Sequence, residues 1–163
     1  MWLSLRRSGL DFCAWSSERF TNRAKLACSA DEAFELLSDT AQLPRWVHDC
    51  TGCQWTTSPP YGVGSTRDVV LKGGLTVHEE FLAWEPGERL TFTVTGMTIP
   101  LLRRMVEDFR LRRVSAATCE LEWTVHYEPR TIAKLILPIA RPRFVALFER
   151  SAQNLEKLVA GRG

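Results

Sequence analysis

The sequence lacks a strong excess of charge of either sign, and it lacks a long apolar run. Lys and Arg number 21 against 19 Asp and Glu, so a formal net charge of +2 supplies no global field for nucleic acid. No stretch approaches the about 18 uninterrupted apolar residues that a membrane-spanning helix needs. We therefore predict neither a nucleic-acid partner nor an integral membrane protein.

Cysteines are few and irregularly spaced. The five are scattered along the chain, unlike the paired spacing of a small secreted scaffold, so we expect reduced thiols and a cytoplasmic protein. A signal peptide is not expected, because Gly9 and Asp11 interrupt the apolar stretch near the start of the sequence.

One small group of residues has the types that bind zinc, namely His48, Cys50 and Cys53. No second Cys/His pair lies nearby, and a strand through Cys50 would direct alternate side chains to opposite faces. We therefore predict no metal site. Phosphate-binding loops, dinucleotide fingerprints and Ser/His/Asp arrangements are also absent, so no cofactor is predicted.

The chain divides into a short N-terminal segment and one domain. In residues 1–17 the aromatic residues Trp2, Phe12 and Trp15 follow neither a helical nor a strand period. This extension is either loosely ordered or docked as an arm, and no function is assigned to it. With 163 residues in all and 45% hydrophobic content, residues 18–163 fit a single ligand-binding domain with its own core.

The first elements of the domain carry clear boundary signals. Alternating residues predict a strand over 19–28, and Ser29 with Glu32 forms the pattern of a capping box at the start of a helix. A second short helix is predicted within 39–46, ending against Pro44.

A glycine-rich turn at 72–74 is predicted to join two strands. A two-residue turn would place Asp68 opposite Glu79, which is a like-charge pair. A three-residue turn places Arg67 opposite Glu79 instead, with a glycine in the left-handed conformation. We predict the second register, in which Arg67 and Glu79 lie on the apolar face.

Three further strands are predicted over 89–95, 105–111 and 119–127, each alternating between apolar and polar residues. Their apolar faces should form the core. The opposite face of the sheet is predicted to meet water, and it includes His78, Thr91, Thr93, Thr95, Asp108 and His126.

The last part of the chain is predicted to be helical. Residues at i, i+3, i+4 and i+7 spacing form one apolar face, which comprises Phe144, Leu147, Phe148, Ser151, Leu155 and Leu158. Pro138 and Pro142 should interrupt any helix that begins at Thr131, so we expect a short first segment, a kink or break, and a main helix from Pro142.

The order of these elements resembles a known superfamily. The runs ADEAFELLSDTAQLPRW at 30–46, YGVGSTRDV at 61–69 and EEFLAWEPGERLTFTV at 79–94 are similar to the polyketide-cyclase/dehydrase branch of the START-related (SRPBCC, helix-grip) superfamily. The resemblance covers residues 19–160. It implies an α+β fold, in which a curved antiparallel sheet of about six to seven strands wraps around a long C-terminal helix, with two short helices after the first strand.

The superfamily includes lipid carriers, hormone and isoprenoid binders and aromatase/cyclases, and it has no single catalytic motif. A sheet covered by one helix tends to enclose an apolar cavity. Our first hypothesis is non-catalytic binding or transport of a lipid-, isoprenoid- or polyketide-like molecule. The second is a cofactor-independent cyclase or dehydratase, and the third is an interaction module whose cavity is filled by side chains.

The predicted ligand-binding residues share the inner face of the sheet or the covering face of the helix. They are Arg67, Glu79, Phe81, Phe92, Glu107, Phe109, Trp123, Tyr127, Phe144 and Phe148.

Three of the polar residues among them bear on chemistry. Arg67 and Glu79 either neutralise each other as a structural pair or contact the ligand. Glu107 has no evident partner, and desolvation would raise its pKa enough for it to serve as a proton donor, so it is the catalytic candidate. The Tyr127 hydroxyl contacts either a ligand or a backbone carbonyl.

Two apolar and basic stretches, 99–104 and 132–144, form a rim if both lie at the cavity mouth. Such a rim would make transient contact with an anionic membrane surface. The alternative is that the apolar residues pack on the sheet and the arginines are solvated.

Overall fold

The computed structural model describes residues 2–161, apart from the side chain of Leu137. In chain order the elements are β1 (Leu3–Ser4), α1 (Phe12–Trp15), β2 (Glu18–Leu26), α2 (Ala30–Ser38), α3 (Leu43–Trp46), β3 (Cys50–Trp55), β4 (Thr66–Leu71), a 3₁₀ turn (Lys72–Gly74), β5 (Thr76–Glu85), β6 (Arg89–Met97), β7 (Leu102–Ser115), β8 (Thr118–Pro129) and α4 (Thr131–Ala160).

Within the described residues, eight strands form one curved antiparallel sheet in the order β2-β8-β7-β6-β5-β4-β3, with β1 paired to β6. Helix α4 packs against β2, β8 and α3, and the main core lies between the helices and the inner face of the sheet. The predicted α+β helix-grip fold is confirmed.

Local sequence signals account for the helix start and the hairpin. Ser29 accepts a hydrogen bond from the Glu32 backbone N–H, and the Glu32 carboxylate accepts one from the Ser29 backbone N–H. Gly73 and Gly74 both have positive φ, near 80°. The turn they form pairs Arg67 with Glu79, as predicted.

Two predictions about proline are wrong. Pro44 lies in the first turn of α3 and not at the end of the helix. In the first turn, the missing N–H of proline costs no helical hydrogen bond. Helix α4 runs through Pro138 and Pro142 without a break. The two prolines leave the carbonyls of Lys134 and Pro138 without helical donors, but both prolines and Lys134 are exposed, so water can satisfy these carbonyls.

The N-terminal segment first pairs with β6 as strand β1 and then crosses the outer face of the sheet. The Leu5 N–H donates to the Thr95 carbonyl at 3.0 Å, and the Arg6 N–H donates to the Arg103 carbonyl at 2.8 Å. Phe12 is 1% exposed and packs below the Arg104 guanidinium. Residues 2–17 therefore form a docked arm.

The arm explains why part of the outer face is buried, contrary to prediction. Thr91, Thr93, Asp108 and His126 were expected to meet water, yet each is at most 5% exposed. The Ser16 hydroxyl lies 2.7 Å from His126 Nδ1. Alternation along a strand reveals its two faces, but it does not reveal that a distant segment covers the polar one.

Asp108 is satisfied in its buried position by three donors. It accepts hydrogen bonds from Arg89 at 2.8 Å, Thr91 at 2.7 Å and Arg110 at 2.9 Å. Desolvation raises the pKa of this carboxyl, but the three donors together outweigh it and the pKa is lowered. A buried carboxylate under the arm is thus held in its ionised form.

Within the described residues, no helix is both long and apolar enough to cross a membrane.

We predict that Phe12→Ala lowers the free energy of unfolding by about 2–4 kcal/mol, because it removes the one fully buried ring of the arm. Trp15→Ala is the matched control, since that ring is 54% exposed, and it should cost less than about 1 kcal/mol. Urea unfolding measures both. Equal small effects would mean that the arm contributes little to stability.

Candidate functional site

A cavity of about 380 Å³ lies between the inner face of the sheet, α3 and α4. Its lining is mainly aliphatic and aromatic, with a few polar side chains from the sheet. This is the composition of a site for a small apolar molecule with a limited number of oriented polar contacts.

Nine of the ten predicted ligand-binding residues, all within the described range, line this cavity. They are Arg67, Glu79, Phe92, Glu107, Phe109, Trp123, Tyr127, Phe144 and Phe148. Phe81 does not. Its ring is fully buried between Trp55, Trp84 and Phe92, and the Arg67 guanidinium lies between it and the cavity side, 4.9 Å from the ring centroid.

Arg67 and Glu79 form a buried ion pair, with Arg67 Nε donating to Glu79 Oε2 at 2.7 Å. The two side chains are 3% and 7% exposed. The guanidinium also stacks over Phe92 at 5.1 Å. Desolvation raises the pKa of Glu79, and the charge and hydrogen bond of Arg67 reduce that shift without cancelling it. The two groups largely neutralise each other, which makes burial of both tolerable.

Glu107 has a partner that was not predicted. Trp123 Nε1 donates to Glu107 Oε2 at 3.0 Å. In the register of β7 and β8, Glu107 lies opposite Val125 and Trp123 lies opposite Phe109, so the contact is diagonal. A long indole can reach a diagonal neighbour, and that possibility is not visible in a simple pairing of residues.

The environment of Glu107 raises its pKa from 4.5 to about 8. Desolvation is the largest cause, and the negative charge of Glu79 adds to it, whereas the Trp123 hydrogen bond and Arg67 oppose it. At neutral pH the group is therefore a carboxylic acid. Because Oε2 already accepts the indole N–H, the second oxygen carries the proton and can donate it to a hydrogen-bond acceptor in the cavity.

The indole of Trp123 is held by three rings. It stacks on Phe109 with a centroid distance of 4.8 Å and meets Trp46 and Phe148 edge-on at 5.8 and 5.2 Å. Trp46 also lines the cavity, and its buried Nε1 makes no hydrogen bond within the described residues.

Tyr127 lies near the α4 end of the cavity, opposite Met105 of β7. Its hydroxyl is buried and forms no hydrogen bond within the described part of the chain, so of the two alternatives the bond to a backbone carbonyl does not occur. Desolvation raises its pKa, and the nearby Arg141 guanidinium opposes that shift without hydrogen-bond geometry. A buried hydroxyl without a partner is a second group available to a ligand.

Several lining residues were missed because they lie outside the sheet. Trp46 is the last residue of α3, His48 follows that helix, and Ser151 projects from α4. The Ser151 hydroxyl accepts from the His48 N–H and donates to the Leu147 carbonyl, both at 2.8 Å, so it is already satisfied.

Cys50 and Cys53 both pack against the core. A register shift between Cys50 and Gly52 brings the two thiols to the same side of β3, contrary to the expected splaying. Burial raises the pKa of Cys53 to about 12. The described residues contain no group of three or more His, Cys, Asp or Glu side chains arranged to hold a metal ion.

A family model described as polyketide cyclase/dehydrase and lipid transport matches residues 17–160. The chain belongs to this family. An uncharacterized protein of Mycobacterium tuberculosis (strain H37Rv) is 31% identical over 156 residues, which cover 96% of this chain and 93% of the relative.

Solved structures of the START superfamily share the fold. The Zhui aromatase/cyclase from Streptomyces sp. R1128 has a TM-score of 0.70 at 16% identity, covering 89% of this chain and 92% of that one. A START superfamily protein from Mycobacterium smegmatis has a TM-score of 0.68 at 14% identity, covering 89% and 99%. At these identities the likeness establishes the fold alone.

We predict that Glu107→Gln alters the pH dependence of stability. The folded carboxyl keeps its proton up to about pH 8, whereas its ordinary pKa is 4.5, so the wild type loses stability as pH rises from 4.5 through 8. Glutamine still accepts from Trp123 and cannot ionise. The variant should be more stable than the wild type at pH 9 by about 2–4 kcal/mol and should differ little at pH 5.

Urea unfolding at pH 5, 7 and 9 measures this difference. Glu149→Gln, an exposed change on α4, is the matched control and should follow the wild type at each pH. Parallel curves for Glu107→Gln and the wild type would contradict a neutral Glu107.

Proposed function

We propose that the protein binds a small hydrophobic molecule in this cavity and that the molecule carries an oxygen atom able to accept a hydrogen bond. The observation that carries the proposal is the carboxyl of Glu107, buried in the wall of an apolar cavity of about 380 Å³, where desolvation raises its pKa to about 8. An empty apolar site would bind by shape alone, whereas an acid held neutral selects for an acceptor.

The polar groups restrict the chemistry of the ligand. Arg67 and Glu79 satisfy each other, so a charged ligand group meets no unpaired countercharge on the sheet. On the α4 side, Arg141 and Arg143 also line the cavity, so an anionic end of the ligand would lie there rather than beside Glu107. Glu107 offers an O–H, and Tyr127 offers a hydroxyl that can donate or accept. A carbonyl or hydroxyl on a largely hydrocarbon framework, as in lipids, isoprenoids and polyketides, fits both.

Family membership supports the same class, because its description combines polyketide cyclisation or dehydration with lipid transport. The scattered spacing of the five cysteines supports the cytoplasmic location expected from the sequence. The open cavity does not support the third hypothesis, an interaction module with a filled interior.

Binding can be tested with prodan, a neutral naphthalene ketone whose emission reports polarity. We expect the wild type to bind it at pH 7 and to lose roughly tenfold in affinity at pH 9, because ionised Glu107 can no longer donate. Glu107→Gln keeps an amide donor and should bind equally at both pH values, and Glu107→Leu should bind weakly at both. A pH-independent wild type would contradict the assigned acceptor contact.

A steric pair of variants tests the location of the probe. Ala140 lines the cavity, so Ala140→Trp should reduce prodan affinity at least about tenfold by filling it. Ala160→Trp makes the same change at the exposed end of α4 and should bind as the wild type does. Unchanged binding by Ala140→Trp would mean that the probe binds elsewhere.

The neutral Glu107 also favours a second candidate, a cyclase or dehydratase. In such a reaction Glu107 would give its proton to a carbonyl oxygen as an enol carbon attacks the carbonyl carbon, and the carboxylate would then take up the enol O–H proton. Glu107→Gln separates the candidates. A carrier retains most of its binding, whereas an acid catalyst loses about 100-fold or more in turnover of a poly-β-keto thioester while still binding it.

A further inference from the structure

The first three turns of α4 expose an apolar stripe. Ile132, Leu135, Ile136 and Ile139 are 75%, 81%, 50% and 77% exposed, and their i, i+3, i+4 and i+7 spacing places them along one side of the helix. Most surface helices direct such a stripe toward the core. Here Ala133 and Phe144 face the core, and the stripe is a second apolar face that no other part of the described chain covers.

The charges on this part of α4 are all positive, and of them Arg143 lies on the side of the helix that carries the stripe. From Thr131 to Phe148 the chain contains three basic residues, Lys134, Arg141 and Arg143, and no acidic residue. Lys134 and Arg143 are exposed and form no ion pair within the described residues. A protein partner would need an acidic, apolar patch to match this surface, whereas an anionic lipid bilayer supplies both properties at once.

The stripe is continuous with the cavity. Ile136 belongs to the stripe and also lines the cavity, and the adjacent β6–β7 loop contributes Ile99 and Leu101, which are 37% and 41% exposed and line it as well. A hydrophobic molecule leaving the cavity at this point would meet the stripe before it met open water.

We propose that this surface, defined by Ile132, Leu135, Ile136, Ile139 and Arg143 and called the α4 entry face, docks on anionic membranes. The aliphatic side chains enter the boundary between headgroups and acyl chains, Arg143 contacts lipid phosphates, and Lys134 on the far side of the helix adds to the electrostatic attraction. Docking aligns the cavity mouth with the apolar layer, so the ligand transfers without crossing water. The proposal extends the proposed function, but docking itself requires no ligand.

Vesicle flotation of the full chain tests the proposal. The wild type should float with vesicles of phosphatidylcholine and phosphatidylglycerol, more weakly with phosphatidylcholine alone, and less as salt is raised. The triple variant Ile132→Glu, Leu135→Glu, Ile139→Glu should reduce partitioning at least about 100-fold. The double variant Lys134→Glu, Arg143→Glu should reduce it at least about tenfold.

Two controls make the same chemical changes elsewhere. Val63→Glu alters an aliphatic side chain that is 68% exposed and does not line the cavity. Lys157→Glu reverses a charge at the other end of α4. Both should float as the wild type does. Circular dichroism melts check that each variant is folded, and the double variant retains the aliphatic stripe if the triple variant does not fold.

Prodan binding in solution separates this proposal from the proposed function. The triple variant should keep prodan affinity while losing flotation, whereas Glu107→Leu should lose prodan affinity and still float. Wild-type protein that floats with neither vesicle type, or a triple variant that floats unchanged, overturns the proposal. If the wild type does not float but dimerises in sedimentation experiments, and the triple variant is monomeric, the proposal is overturned. The surface would then bind a second copy of this chain.

Discussion

A single long helix must cover the inner face of a wide antiparallel sheet, and one helix is too narrow to fill it. Aromatic residues from both sides meet across the gap, as in the contact between Trp123 and Phe148, yet a cavity of about 380 Å³ remains. The cavity is therefore a consequence of the architecture. Its use depends on which polar side chains the strands direct into it.

The inner face of the sheet carries three ordinarily charged side chains that line the cavity, one basic (Arg67) and two acidic (Glu79 and Glu107), so one acid has no basic partner. Arg67 can neutralise one carboxylate, and its ion pair with Glu79 does so at 2.7 Å. A third ionised group in the same low-dielectric space would be unpaired and repelled by Glu79, so Glu107 is protonated instead. The same residues that make the burial of charge tolerable thus leave one acid in its neutral form. The outer face shows the converse, since three donors keep Asp108 ionised under the arm.

The comparisons with known proteins separate fold from activity. Membership of the polyketide cyclase/dehydrase and lipid transport family and the START-like neighbours agree on the architecture. The solved structures with this fold include an aromatase/cyclase and a protein named only for its superfamily, so the shared fold does not decide between the two candidate functions. The features that bear on activity are the neutral acid on the sheet and the exposed apolar face of α4, and both depend on individual side chains.

Local rules were sufficient for much of this chain. The capping box at Ser29, the turn at Gly73 and Gly74 and the alternation of the strands depend on neighbouring residues, so the sequence by itself determined the elements, the hairpin register and the inner-face residues. Tertiary structure alone decided the burial of Thr91 and His126 beneath the arm, the exclusion of Phe81 from the cavity, the diagonal bond from Trp123 to Glu107 and the exposed face of α4. These depend on contacts between segments far apart in the chain, and periodicity shows which residues share a face but not what covers that face.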